Sequence, residues 1–142
     1  MLVVDDNADA LESLSRLVAV MGNEVCKAHD GLEAVESAES FRPHIVLMDL
    51  GMPRLDGYEP AKRMRQAPWE YGLTIVATTG RDHEEHRRRA REAGFDHHLV
   101  KPIRAKTRRR SALPIHILGL KWQIWPGKRC HSGQAKQLYK SA

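Results

Sequence analysis

Ile45-Val46-Leu47-Met48-Asp49-Leu50-Gly51-Met52-Pro53 is an apolar run that stops at one carboxylate and passes into turn residues. Four long or β-branched apolar residues in a row suit a strand buried on both faces, as in a parallel sheet whose crossovers cover both sides. Such a strand delivers its last residue to the carboxyl edge of the sheet, where open α/β sheets bind ligands. Asp49 is therefore better placed to react than to stabilise the fold.

Working outward, Leu2-Val3-Val4 ends in Asp5-Asp6 and repeats the design of a buried strand closed by carboxylates. Ala10, Leu11, Leu14, Leu17, Val18 and Met21 then recur at helical spacing, with Asp6, Asn7 or Asp9 to cap the start and Gly22 to stop it. Residues 24–28 read as strand two, and 32–41 as a helix with Leu32, Val35, Ala38 and Phe41 on one side. After Pro53, Asp56 and Glu59 have capping-box spacing for a helix ending near Gln66, with Pro60 in its first turn. Residues 74–79 read as strand four, ending in Thr78, Thr79 and Gly80; 82–93 as an Arg-rich helix closed by Gly94; and 95–100 as strand five before Lys101-Pro102. Strands alternating with helices predict an α/β doubly wound parallel sheet of five strands.

The 142 residues suffice for one domain and a tail. Charge is divided unevenly: residues 1–100 hold all 18 acids and 12 of the 23 bases, whereas 101–142 hold the other 11 bases and no acid. Cys26 and Cys130 share no metal-binding or redox spacing, which predicts free thiols and a reducing, cytoplasmic setting. Neither a secretory leader nor an apolar run long enough for a bilayer is legible, so no membrane insertion is expected.

Strand ends thus bring Asp5, Asp6, Asp49 and Thr79 to one edge, with Lys101 just beyond. Carboxylates repel by about 4 kcal/mol per pair at 4 Å and a surface-like dielectric, and a divalent cation resolves that repulsion. Oxygen ligands completed by water suit Mg²⁺, which commonly pairs carboxylates with phosphate oxygens. Asp49 can then attack phosphorus as a nucleophile, with Mg²⁺, Lys101 and Thr79 neutralising charge.

The ordered set Val3-Val4-Asp5-Asp6, Asp49 with Pro53 and Asp56-Gly57, Thr79-Gly80, and Lys101-Pro102 resembles the receiver domains of response regulators, the chemotaxis receivers among them. The resemblance covers residues 1–103, and Gly94-Phe95-Asp96-His97-His98-Leu99-Val100-Lys101-Pro102 looks most like the receivers of hybrid sensor histidine kinases. It implies a flavodoxin-like sheet of order 2-1-3-4-5. It further implies transfer of a phosphoryl group from a histidine kinase or phosphotransfer protein to Asp49, and Mg²⁺ held by Asp5, Asp6, Asp49 and the Gly51 carbonyl. Lys101, followed by a cis peptide bond, would pair with phosphoryl oxygens, and Thr79 would act as the switch. The aromatic switch position holds His98, a titratable imidazole. On this reading the chain is a phosphorelay signalling domain that catalyses its own phosphorylation and dephosphorylation rather than an enzyme with a separate substrate.

Blander readings stand beside each element. Asp5-Asp6 alone would be a helix-capping pair, Asp49 a turn acid, the threonines strand-end hydroxyls and Lys101 a solvated lysine. His83 and His86 have metal-ligand spacing but no completing ligand nearby, Arg87, Arg88, Arg89 and Arg91 read as solvent-facing, and Cys26 as a core residue. An aspartate-nucleophile phosphatase would carry a second acid two residues after the first, where this chain has Gly51.

Beyond Pro102 the expected fifth amphipathic helix is missing or atypical. Residues 104–142 are basic, punctuated by Pro114, Gly119, Pro126 and Gly127, and poor in order-promoting pattern towards the end. They read either as a basic arm contacting nucleic acid or as a foreign, out-of-frame end on a truncated receiver with impaired signalling, and the abrupt loss of acids favours the second. Part of helix one's apolar face would then lack its cover, implying marginal stability or self-association.

Overall fold

The computed structural model describes residues 1–52, 57–80 and 84–103. Along the chain run β1 (Leu2–Val4), α1 (Ala8–Val20), β2 (Cys26–Ala28), α2 (Gly31–Phe41), β3 (Ile45–Asp49), α3 (Tyr58–Gln66), β4 (Thr74–Thr79), α4 (Glu84–Ala93) and β5 (His97–Val100). All strand pairs are parallel and the sheet order is β2-β1-β3-β4-β5, as expected. The expectations for Pro53 and Asp56, for Asp82 and His83, and for the tail with its fifth helix and Cys130 concern residues outside the described ones.

Alternation along the strands divides the core. Leu2, Val4, Val46, Met48, Ile75 and Ala77 face one way and meet Ala34 and Ala38 of α2, Ala61 and Met64 of α3, and Ala90 and Ala93 of α4. Val3, Leu47, Val76 and Leu99 face the other way and meet Leu11 and Val18 of α1, with Leu14 and Ile103 at the margin. Apolar residues on both strand faces therefore reflect helices on both sides, the reason the central runs are continuous rather than alternating.

Side-chain caps set the helix starts. Of the three candidates for α1, the Asn7 side chain accepts from the Ala10 N–H at 3.0 Å, and Gly22 turns the chain beyond the helix at φ +87°. At α2, Asp30 accepts from the Glu33 N–H at 2.8 Å while Glu33 accepts from the His29 N–H at 2.7 Å. Helix α3 starts at Gly57 without a side-chain cap.

Several expectations need correction. Strand two is Cys26–Ala28 rather than 24–28, because it lies at the edge of the described sheet and its one neighbour among the described residues, β1, is three residues long. Strand five begins at His97 rather than Phe95. The Phe95 N–H instead bonds to Ala90 O and its ring packs in the core below α3 and α4, while Asp96 is engaged by Arg65. Cys26 is half-buried against the core rather than within it. Arg87 is likewise half-buried, pairing with Glu84 at 3.9 Å, whereas Arg88, Arg89 and Arg91 are exposed as expected, Arg89 lying over the Tyr58 ring.

Arg65, on α3, joins the elements at the amino end of the sheet. Its Nε donates to Gly94 O at 2.9 Å and its Nη1 to Leu73 O at 2.8 Å, and Nη2 pairs with the Asp96 carboxylate. Asp96 Oδ2 also accepts from the Ile75 N–H at 2.8 Å. The guanidinium thus ties α3 to the segments entering β4 and β5 through a fork of fixed geometry. Gly94 is shaped by this contact: its φ is +94°, and an added Cβ would lie 2.8 Å from Arg65 Cγ. Gly94→Ala is expected to destabilise the fold by about 1–3 kcal/mol through left-handed strain and displacement of Arg65, measured as a lower urea midpoint.

Candidate functional site

Three strand ends meet at the carboxyl edge. Val4 pairs with Met48, so the next residues, Asp5 and Asp49, fall side by side; they are 2 % and 6 % exposed. Asp6 follows on the solvent side, and one carboxylate oxygen from each of the three acids lies within 4.8 Å of the others. The ladder between β4 and β5 continues through the Lys101 N–H, which donates to Thr79 O at 2.8 Å. Lys101 Nζ consequently reaches Asp5 Oδ2 at 2.7 Å and Asp49 Oδ1 at 3.1 Å. The Lys101–Pro102 peptide bond is cis, as the resemblance implied.

Backbone groups hold the acids in place. Asp5 Oδ1 accepts from the Asn7 N–H at 3.0 Å, so the loop that starts α1 also orients Asp5. The Leu50 N–H donates to Thr78 O at 2.9 Å, carrying the β3–β4 ladder one residue past Asp49. The Gly51 N–H bonds to the Asp49 carboxylate, and a Cβ on Gly51 would lie 3.2 Å from Asp49 Oδ2. A side chain there would crowd the Asp49 carboxylate.

Among the described residues, one ammonium faces three carboxylates and does not balance them. Burial pushes the Asp49 carboxyl above its ordinary value; Lys101 opposes this, Asp5 adds to it, and the Gly51 N–H offsets it in part. Burial alone would lower Lys101, but its hydrogen bond to Asp5 and its pairing with Asp49 outweigh that and hold the ammonium above its usual range. The two shifts are compatible because Lys101 sits closer to Asp5 than to Asp49. An all-oxygen donor set with one exposed member and uncompensated negative charge fits a hard divalent cation such as Mg²⁺.

The other expected site residues lie around this cluster. Thr79 is buried at the end of β4, on the side of the sheet that carries α4. His98 is 5 % exposed and pairs in register with Ala77, which places it on that same side. Tyr58 did not stand out in the sequence, and Gly57 did so only as a member of the Asp56-Gly57 pair. A Cβ on Gly57 would lie 2.7 Å from Asp49 O, so only glycine allows the start of α3 to press on the Asp49 peptide. Tyr58, next in the chain, links α3 to α4. A glycine in place of a side-chain cap at the start of a helix was the available signal.

The family model of the response regulator receiver domain matches residues 1–112. Response regulator MprA of Mycobacterium ulcerans is 41% identical over 102 residues, covering 72% of this chain and 43% of that protein. MprA of Mycobacterium tuberculosis strain H37Rv is 40% identical over the same length. The chain spans less than half the length of these curated relatives. Among solved structures, chemotaxis protein CheY4 of Vibrio cholerae superposes with a TM-score of 0.70 at 29% identity, covering 72% of this chain and 86% of that one. The receiver domain of the putative response regulator NarL of M. tuberculosis gives 0.65 at 27%, covering 71% and 82%. Among the described residues no helix is long and apolar enough to cross a membrane.

Because the Asp49 carboxyl is raised in the folded state, protonation favours folding: its contribution is full below the ordinary value of 3.8 and is lost as pH rises through the folded value. In metal-free buffer Asp49→Asn is therefore expected to raise the urea midpoint at pH 7, with the gain closing near pH 4.

Proposed function

The chain belongs to the response-regulator receiver family, the signalling domains of two-component systems, and on that basis we propose that Asp49 is its phosphoacceptor. The observation that carries this reading is the Lys101 ammonium reaching both Asp5 and Asp49 beside a third carboxylate. A carboxylate oxygen of Asp49 attacks the phosphorus of a phosphohistidine on a sensor histidine kinase or phosphotransfer protein. The P–N bond breaks, its electron pair stays with the imidazole, which takes up a proton, and an acyl phosphate forms on Asp49.

This chain's residues chiefly position groups and neutralise charge, as phosphoryl transfer requires. Asp5, Asp6, Asp49 and the Gly51 carbonyl are the groups that would hold Mg²⁺, which when bound supplies positive charge to the phosphoryl oxygens. Lys101 is half-buried at the reaction centre and can exchange a carboxylate partner for a phosphoryl oxygen. Gly51 keeps the approach to Asp49 open. Thr79 offers a hydroxyl to the new phosphoryl group, and its movement with His98 on the α4 side of the sheet signals the modified state. The half-buried free thiol of Cys26 suits a reducing cytoplasm.

Incubation with acetyl phosphate and Mg²⁺ is expected to add one phosphoryl group by intact mass to the wild type and none to Asp49→Ala. Lys101→Ala is expected to slow the reaction by about 10²-fold, the scale of losing one preorganised charge-stabilising group. Folded wild type that gains no Mg²⁺-dependent adduct would overturn the reading. A nucleic-acid role rests separately on the 11 bases and absent acids of residues 101–142. DNA affinity that falls steeply with salt and disappears on deleting 104–142 is its expected signature.

A further inference from the structure

Helix α4 is attached to the sheet with little apolar weight, since its buried residues are Ala90 and Ala93. Small side chains permit close approach but give few contacts to hold one position along the axis. A directional tie comes from α3. Tyr58 is 5 % exposed; its hydroxyl lies 3.0 Å from His86 Nδ1, and the Arg89 guanidinium carbon lies 4.5 Å from its ring centroid. His86 and Arg89 are three residues apart and so share a helix face, gripping the ring at its polar tip and on its π surface. Phe95, just past α4, meets the same ring edge-on at 6.3 Å.

The other end of this tie is Asp49. Gly57 immediately precedes Tyr58, and its Cα sits so close to the Asp49 peptide that a Cβ would be 2.7 Å from Asp49 O and 3.5 Å from Leu50 Cα. A shift of the Asp49–Leu50 backbone therefore pushes on the first turn of α3, and the Tyr58 ring carries the push to α4. The ring that meets α4 from α3 is that of Tyr58.

We propose that Tyr58 is a positioning residue that passes the state of Asp49 to α4 through its hydrogen bond to His86, making the outer face of α4 a responsive surface. This deepens the phosphoacceptor reading and rests on it. Coupling of this kind is reciprocal, so whatever displaces His86 or Arg89 also alters the phosphorylation equilibrium at Asp49.

The test uses the full chain and two variants that remove opposite halves of the tie. Tyr58→Phe keeps the ring and its contacts with Phe95 and Arg89 but lacks the hydroxyl, and His86→Ala acts from the partly exposed side. Each protein is treated with acetyl phosphate and Mg²⁺; intact mass records the adduct, and amide hydrogen exchange records α4. The expected result is a change in α4 exchange in phosphorylated wild type that is lost in both variants while the adduct still forms, with the double variant showing no further loss. An adduct without an α4 change in wild type, or an undiminished α4 change in both variants, overturns the relay alone. Loss of the adduct in folded Tyr58→Phe and His86→Ala also overturns it, because the tie would then hold Asp49 rather than report on it. Absence of an adduct in wild type overturns the phosphoacceptor reading and the relay together.

Discussion

Three carboxylates converge at one sheet edge with a single ammonium between two of them, and much of the architecture serves to hold that arrangement. At 4 Å each like-charge pair costs about 4 kcal/mol at a surface-like dielectric, comparable with a large part of a small domain's net stability. Lys101 offsets part of this cost but is nearer Asp5, so the excess negative charge collects on Asp49. The Asp49 carboxyl is raised first by its burial, with Asp5 adding to the effect and Lys101 opposing it. A site left short of positive charge is prepared to accept more of it.

Rigidity for this frustrated cluster comes from elsewhere in the fold. The β1–β3 ladder runs to the residues just before the acids, the β3–β4 ladder continues one residue past Asp49, and the start of α1 supplies an N–H to Asp5. At the opposite edge Arg65 ties α3 to the segments entering β4 and β5. At that edge Arg65 makes a fork of hydrogen bonds, whereas the buried side chains of α4 are alanines and the Tyr58 tie reaches it from α3. Helix α4, whose buried side chains are small, lies on the side of the sheet that carries Thr79 and His98.

Much of this was legible in the chain. Buried parallel strands read as uninterrupted apolar runs, so Ile45–Asp49 and Leu2–Val4 announced themselves along with the acids that follow. Boundaries were less legible at β2 and β5, where the length of a strand depends on its neighbour. Phe95 has the composition of a strand residue, but its N–H closes α4 and its ring fills the core. Arg87, Arg89 and Arg65 look alike as letters, yet one is half-buried, one covers a tyrosine and one joins three segments.

By itself the sequence determined the element types, the parallel sheet and the residues at its reactive edge, because strand burial and turn chemistry are local and each acid directly follows its strand. Only the tertiary structure decided how charge is shared among those residues, since Lys101 lies 96 positions from Asp5 and pairs with it only through the β4–β5 ladder. It alone revealed the contact of Gly57 with the Asp49 peptide and the grip of α4 on Tyr58. Both depend on distances of a few ångströms between elements, and no periodicity in the chain encodes those.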